Sequence, residues 1–555
     1  MTTTSDTMTG SQLLARSLKQ QGADYMFGVV GFPVSQLAID AQKAGITYIG
    51  MRNEQSASYA AQAAGYLTGR PQSCIVVSGP GVVHALSGLA NAQQNCWPMI
   101  LIGGASAINQ NGMGAFQEER QVHIATPFCK YAHAVEHESR IPYYVEQAVR
   151  YSLYGRPGAA YLDLPDDVLT AEIELADVQD VQTVPDPPRP TVAEADIEAA
   201  LATLKSAENP LVIVGKGMAW ARAENEVRDF IDKTQLPFLP TPMGKGVVPD
   251  DHPLSVAPAR TAALQNADVI FLMGARLNWI LHFGKAPRYR EDVRVIQLDN
   301  VAEEIGSNVP AAVGLMGDGR AVMAQINAAL EAEPWQYPEE TPWRNTLDTQ
   351  AEKNVEISAS MMADDSTPMN YYRVFKDVRD TMPRDAIIVG EGANTMDIGR
   401  TVLDNYEPRS RLDAGTYGTM GIGLGFAIAA AVTNPDRRTV AVQGDAAFGF
   451  SGMEVETACR YKLPLTVVVI NNNGIGGGIA ELPKDRPPPP SVYLPEARYE
   501  KVMEAFGGRT YYVENPDDLL PAMTEANEGE GPALVHVRID PRAGRKPQKY
   551  GWHTG

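Results

Sequence analysis

Cysteine is scarce in this chain: four residues in 555, scattered as Cys74, Cys96, Cys129 and Cys459 with no CxxC spacing. Three of them lie in or beside apolar runs, a placement that reads as buried free thiols in a reducing compartment. Basic residues are in deficit, 47 against 67 acidic ones, which leaves a net charge of −20. A field of that sign repels phosphate backbones and anionic lipid, so neither nucleic acid nor a membrane surface is an expected partner. It equally repels an anionic substrate, which a local basic pocket must then receive. No uninterrupted apolar run reaches the length of a membrane span. The opening residues, Met1-Thr-Thr-Thr-Ser-Asp6, have neither the basic stretch nor the apolar core of a secretory signal, and a cytoplasmic protein is expected.

What the chain does have is ordinary globular sequence, 44% hydrophobic and 21% charged. Its length exceeds what one core organises and implies three or four domains. From residue 10 to about 180, strands at Tyr25–Val30, Thr47–Gly50, Cys74–Ser78, Met99–Gly103 and Ala159–Leu164 alternate with helical patterns. They are short and mostly apolar, as a parallel sheet covered on both faces requires. Val184-Pro-Asp-Pro-Pro-Arg-Pro190 breaks the pattern as a linker. A second region carries strands at Leu211–Val214, Val269–Met273 and Val295–Leu298, and the polar segment from Pro334 to Thr367 reads as another connection. A third has strands at Ala386–Val389, Thr439–Val442, Leu465–Ile470 and Ala533–Val537. The reading is three successive α/β domains, 1–183, 192–345 and 368–540, followed by a basic tail, 541–555, extended over the surface.

Two strand-like runs end in oxygen donors. Arg438-Thr-Val-Ala-Val-Gln-Gly444 runs into Asp445, and Pro464-Leu-Thr-Val-Val-Val-Ile-Asn471 runs into Asn472, with a helical stretch between. Both donors therefore stand at the carboxyl ends of strands joined by a helix, where open parallel sheets hold ligands. A carboxylate plus an amide carbonyl suits a hard cation such as Mg, which keeps a phosphate as co-ligand. Gly444 lets the backbone approach, and Ser451-Gly-Met-Glu454 reads as a capping box opening the intervening helix. Far upstream, Glu54 follows the strand Thr47–Gly50 and opens a helix, where a carboxylate either complements the helix dipole or meets a ligand.

The pair Gly444-Asp445 and Asn472-Asn473 resembles the metal-diphosphate motif of thiamine diphosphate (ThDP) enzymes. Glu54-Gln-Ser-Ala57, Ser78-Gly-Pro-Gly81, Asn95-Cys-Trp-Pro98, Phe116-Gln-Glu118 and Gly155-Arg-Pro-Gly158 with Asp163-Leu-Pro165 occur in the order seen in the pyrimidine-binding domain of that superfamily. Gly415-Thr-Tyr-Gly-Thr-Met-Gly421 resembles its thiazolium-cradling loop. The match extends over nearly the whole chain. It implies an α/β fold of three doubly wound parallel-sheet domains, pyrimidine-binding, central nucleotide-binding and diphosphate-binding, of the ThDP-dependent decarboxylase type. It implies Asp445, Asn472 and Gly474 as Mg ligands, and Gly444, Ala446, Asn394, Gly418 and Met420 as ThDP contacts. In the family the Gly418 position offers its carbonyl to the amino group, and the Met420 position props the bent cofactor. Glu54 becomes the carboxylate that drives the aminopyrimidine into its imino tautomer. Ala446 stands where many relatives have glycine. ThDP lies between subunits in this superfamily, so a homo-oligomer, a dimer of dimers, is implied.

Glu391-Gly-Ala-Asn394, Arg411-Leu-Asp-Ala-Gly415, Phe448-Gly-Phe-Ser-Gly-Met-Glu454 and Glu504-Ala-Phe-Gly-Gly508 resemble the oxalyl-CoA decarboxylase and 2-hydroxyacyl-CoA lyase branch, and the tail from Ile539 to Trp552 is more similar to the lyases. The branch implies a carbon–carbon lyase that splits a 2-hydroxyacyl-CoA into formyl-CoA and an aldehyde or ketone. Oxalyl-CoA decarboxylase is the alternative; a non-catalytic binding protein is disfavoured by the joint presence of Glu54, Asp445 and Asn472. In the central domain Gly215, Lys216, Gly217, Arg276, Asp299 and Asp318, with Arg156 from the first domain, are the implied contacts of ADP held as a non-reacting ligand. CoA phosphates on so acidic a protein demand basic residues, and Arg260, Arg409, Arg411 and the tail pair Arg545-Lys546 are the candidates. Gly476 replaces an aromatic common in relatives, which leaves room for a branched substrate such as 2-hydroxyisobutyryl-CoA. The run Gly476–Gly478 suits a lid. Cleavage, unlike decarboxylation, needs a base for the 2-hydroxyl: Glu481 is the candidate, Asp485 the reserve, and Gln117 an orienting group. His84, in a small-residue segment, is read as structural.

Overall fold

The computed structural model describes residues 7–546. Apolar runs of five to seven residues become the central strands of three parallel sheets, buried along nearly their whole length. The first sheet is ordered Thr47–Gly50, Tyr25–Gly28, Gln72–Val76, Met99–Ala105, Ala159–Pro165 and Tyr131–Ala134. The last is ordered Arg411–Asp413, Ile387–Glu391, Thr439–Gly444, Leu465–Asn471, Ala533–Arg538 and Arg509–Val513. Numbered within each sheet, both follow 2-1-3-4-6-5, so the two outer sheets repeat one topology. The central sheet is ordered Phe238–Pro240, Pro210–Val214, Val269–Met273, Arg294–Asp299 and Ala311–Met316. In all three the order reverses between the first and third strands, which opens a crevice at their carboxyl ends.

Three expectations need correction. The segment Pro334–Thr367 contains a 21-residue helix, Pro342–Met362, capped by Thr341. Only Trp343 and Leu347 of that helix are buried, so it carries no apolar stripe to betray it. Ser451-Gly-Met-Glu454 is not a capping box. The helix Asp445–Ser451 starts directly after the strand, Ser451 Oγ is buried without a partner, and the Glu454 carboxylate accepts instead from Arg52 N at 3.1 Å and Thr457 Oγ1 at 2.8 Å. Of the four free thiols only that of Cys74 is buried; Cys96, Cys129 and Cys459 are half-buried.

The helices Glu54–Thr68 and Gly423–Thr433 pack against each other and bind the outer sheets into one core. Small residues let their backbones meet: a methyl on Gly425 would lie 2.7 Å from the Ser56 carbonyl oxygen. Trp97, fully buried, stacks on Tyr66 at 4.8 Å and lies 5.1 Å from Phe426, joining first and last domains through aromatic contact. The central sheet has a core of its own. Among the described residues no helix is long and apolar enough to cross a membrane.

Candidate active site

In the C-terminal sheet the crevice opens between Ile387–Glu391 and Thr439–Gly444, and Asp445 is the first residue beyond the latter. Its carboxylate is buried, which pushes it up to about 7, and Oδ2 has no hydrogen-bond partner. One terminal atom of the Asn472 amide lies 3.1 Å from Asp445 Oδ1 and 2.8 Å from the Gly474 carbonyl oxygen; the other is 3.1 Å from the Tyr371 hydroxyl. With the amide oxygen in the first position, three acceptors face one another, an arrangement that a cation satisfies. The donor set fits Mg: one carboxylate, one amide oxygen and one backbone carbonyl. Asn394 donates to the Gly476 carbonyl at 3.1 Å and so ties its helix to this loop.

The loop Gly415–Gly421 is shaped by a buried carboxylate. Glu391 accepts from the backbone N–H groups of Gly421 and of Gly423 (2.9 Å) and from Gln443 Nε2 at 2.6 Å, while burial raises it to about 7. Gly418 has φ +67°, a conformation that only glycine adopts freely, and nothing lies within 4 Å of where its side chain would be. Met420 and Ala446 are half-buried at the same crevice.

Glu54 is the first residue of its helix, capped by Asn53, and its side chain is 16% exposed. The helix Pro80–Asn95 lies against it because Gly88 leaves no side chain to keep them apart; a Cβ there would sit 1.9 Å from Ser58 Oγ. Asn91 donates to Gln62 across the contact at 3.0 Å. This packing brings His84 Nδ1 to 3.3 Å from Glu54 Oε2, with the imidazole 60% exposed. Gln117 is half-buried, its carbonyl accepting from Ser78 Oγ at 2.7 Å, which fixes its loop just upstream of the His84 helix. The segment before Glu54 is tied to the C-terminal domain: Gly50 N donates to Tyr461 at 2.9 Å, and Arg52 N to Glu454. Glu481 and Asp485, by contrast, are exposed on an irregular segment and are not hydrogen-bonded to Glu54, His84 or Asp445. Gly476, at φ +77°, has open space around its missing side chain.

Two cavities flank these residues. The larger, about 1480 Å³, lies between the central domain and the C-terminal one, and eight Arg and Lys side chains line it against three aspartates. Arg260 is among them, donating to the Ile280 carbonyl at 2.9 Å and lying 3.3 Å from His282. Arg545 and Lys546 reach it too, held by Asp397 and by Ser358, so the tail runs over this cavity as far as it is described; residues 547–555 lie outside the described residues. Arg409 and Arg411 do not line it. Arg409 pairs with Glu224 at 2.9 Å, and Arg411 is only 2% exposed, bonded to Asn405 and the Leu403 carbonyl. Both hold the fold rather than a ligand, whereas Lys245, Arg288, Lys376, Arg379 and Arg400 converge from distant segments that carry no motif.

The smaller cavity, about 510 Å³, sits at the crevice of the central sheet and collects Arg156, Lys216, Gly217, Arg276, Asp299 and Asp318. Gly215 lies just behind, its N–H on the Met273 carbonyl at 2.8 Å. Arg156 pairs with Asp299 (3.2 Å) and Glu304 (2.6 Å). Lys216 points across the domain boundary to the Asn95 carbonyl, and burial lowers it to about 8. Asp318 caps the helix Gly319–Ala332.

Three family models match this chain: the thiamine pyrophosphate enzyme N-terminal TPP binding domain over 8–124, the central domain over 197–326 and the C-terminal TPP binding domain over 390–537. The chain is 50% identical to 2-hydroxyacyl-CoA lyase 1 of Homo sapiens, with 99% of this chain and 97% of that protein aligned. It is 46% identical to the 2-hydroxyacyl-CoA lyase of Oryza sativa subsp. japonica, with 96% of each covered. Oxalyl-CoA decarboxylase of Escherichia coli (strain K12) is 43% identical over 96% of this chain and 95% of its own.

Proposed function

This chain belongs to the thiamine pyrophosphate enzyme family, and from that premise we propose that it is a ThDP-dependent lyase cleaving 2-hydroxyacyl-CoA to formyl-CoA and an aldehyde or ketone. Asp445, Asn472 and the Gly474 carbonyl would hold Mg against the coenzyme's diphosphate. Gly418, Met420, Asn394, Gly444 and Ala446 would line its ring and phosphates, and Glu54 would meet the pyrimidine. When bound, the coenzyme supplies a nucleophilic carbon and a sink for the electron pair of the bond that breaks. The protein's own part is to deliver the thioester and to move the hydroxyl proton.

The observation that carries the substrate reading is the basic cavity. On a protein of net charge −20, a recess lined by eight cationic side chains, five of them ion-paired with aspartates, supports a polyanionic ligand. Its volume of about 1480 Å³ exceeds the usual ligand pocket, as a long pantetheine-nucleotide requires. Trp279, on the segment lining this cavity, donates to the Thr416 carbonyl at 2.7 Å, so the recess adjoins the Gly415–Gly421 loop. ADP is the proposed occupant of the smaller cavity. Exposed Val83, beside His84, and exposed Phe450 and Met453, beyond Asp445, suit burial under a second copy, in keeping with a dimer of dimers. The open space at Gly476 favours branched acyl groups.

Mass spectrometry after incubation with ThDP, Mg and 2-hydroxyisobutyryl-CoA is expected to find formyl-CoA and acetone. Carbon dioxide from oxalyl-CoA, with the hydroxyacyl thioester left intact, would instead establish the decarboxylase.

A further inference from the structure

One histidine stands where the pattern calls for an apolar residue. His536 lies between Val535 and Val537 on the strand Ala533–Arg538 of the C-terminal sheet and is fully buried. A buried imidazole needs a partner on each ring nitrogen, and both are present. Nδ1 is 2.7 Å from Glu500 Oε2, and Nε2 is 3.0 Å from the Asn471 amide nitrogen. These partners mark the two ends of one stretch of chain. Asn471 closes the strand Leu465–Asn471 directly before Asn472, and Glu500 opens the helix Glu500–Glu504. The irregular segment 472–499, with glycines 476–478 and Glu481, therefore leaves and returns beside this ring.

The protons along this chain of groups have one consistent arrangement. The Asn473 N–H, which can only donate, is 2.8 Å from Asn471 Oδ1. That turns the Asn471 oxygen toward Asn473 and its NH2 toward His536. Nε2 then accepts, and the ring proton sits on Nδ1, donated to Glu500. Burial holds the imidazole below its ordinary range, which keeps it in this neutral form. Burial would raise the Glu500 carboxyl, but bonds from His536 and from Arg498 at 2.6 Å outweigh it and hold it below the usual range.

The far end of the relay is the metal loop. Asn473 has φ +62°, a left-handed backbone that side chains disfavour, and it stands between Asn472 and Gly474. Those are the residues whose oxygens face Asp445. The turn is held at every polar group but one: the Asn473 carbonyl accepts from Tyr493 N at 3.0 Å, and its Nδ2 donates to the Ile479 carbonyl at 3.0 Å. Only the bond from Asn473 N to Asn471 ties it back to the sheet through His536.

We propose that His536 is a positioning residue for the metal: oriented by Glu500, it sets the Asn471 amide, which pins Asn473 and so holds Asn472 and the Gly474 carbonyl toward Asp445. His536 is not itself a ligand. The assignment rests on reading those three groups as the Mg donors.

The test titrates Mg by calorimetry into the full-length protein saturated with ThDP, and measures urea midpoints in EDTA. His536→Phe keeps a ring without nitrogens, and Asn471→Leu breaks the relay from its other end. Each should weaken Mg binding about 10- to 100-fold, the usual worth of a group that orients a metal ligand. The double variant should bind about as weakly as the weaker single one, because one broken link empties the chain. His536→Gln offers an amide oxygen where Nε2 stood and should stay within about fivefold of wild type. Tyr512→Leu removes a ring that packs on His536 at 5.2 Å but no link of the relay. Its urea midpoint should fall while its Mg affinity stays within about threefold of wild type. Affinity within about threefold of wild type in either folded variant, His536→Phe or Asn471→Leu, overturns the proposal. So does a loss in His536→Gln or Tyr512→Leu as large as that in His536→Phe, since packing alone would then carry the effect. A wild type that takes up ThDP but no Mg removes the reading of the donors themselves, a distinct result from a wild type and variants that bind Mg alike.

Discussion

Glu454 shows what a single buried carboxyl does here. It links the segment before Glu54 to the helix beyond Asp445, and burial pushes it up to about 7 from an ordinary 4.5. Between those values the native state holds a proton that the unfolded chain has released, so its contribution to stability falls as pH rises. The change is at most about 3.5 kcal/mol, at roughly 1.4 kcal/mol per pH unit. Glu391 and Asp445, both near 7, and Asp163, near 6, act with the same sign. Glu454→Gln should therefore flatten part of the decline; urea midpoints at pH 5 and pH 7.5 for both proteins check this. Arg260 makes a different prediction. Removing a charge-assisted phosphate contact costs about 1.5–3 kcal/mol, so Arg260→Ala should raise KM for the acyl-CoA by roughly 10- to 150-fold with kcat little changed. Steady-state kinetics decide it.

At the scale of elements, the crossing of Glu54–Thr68 with Gly423–Thr433 is the joint between the coenzyme-binding halves of one chain. Gly425→Ala inserts a methyl 2.7 Å from a backbone oxygen, which has no rotamer to escape into. Overpacking of this kind costs about 1–3 kcal/mol, and a lowered urea midpoint with slower coenzyme uptake is the expected outcome. Legibility also divides by element. Central strands such as Val269–Met273 are continuous apolar runs and were readable to within a residue or two. The strands missed from the sheets all lie at sheet edges; Tyr131–Ala134, Ala311–Met316 and Arg509–Val513 among them are only partly buried over most of their length and form no apolar run. Helix Pro342–Met362 was missed for the matching reason, having almost no buried face.

For the whole molecule, coenzyme binding and folding are linked. Ligand at a hundredfold excess over Kd stabilises the native state by about 2.7 kcal/mol. ThDP with Mg should raise Tm by several degrees, chelation with EDTA should reverse the rise, and Asp445→Ala should abolish it, all readable by calorimetry. The molecule as a whole also separates two kinds of site. The placement of Glu54, Asp445, Asn472 and the Gly415–Gly421 loop was readable because each is a local device: a donor at a strand end, a first-turn carboxylate, a loop with left-handed glycines. Six of the seven residues proposed for ADP line one cavity at the crevice of the central sheet, with Gly215 just behind it. Of the CoA candidates, Arg260, Arg545 and Lys546 line the basic cavity, and two do not. Arg409 and Arg411 carry charge in a promising stretch, yet their guanidinium groups are committed to Glu224 and Asn405.

By itself the sequence determined the three α/β domains and the family, because strand periodicity and short-range motifs are properties of neighbouring residues. Only the tertiary structure decided which arginines face a cavity, that Glu454 bridges two domains, and that His84 meets Glu54. Those depend on helices brought together from distant parts of the chain at separations set by single glycines, and no local pattern encodes where such a crossing will fall.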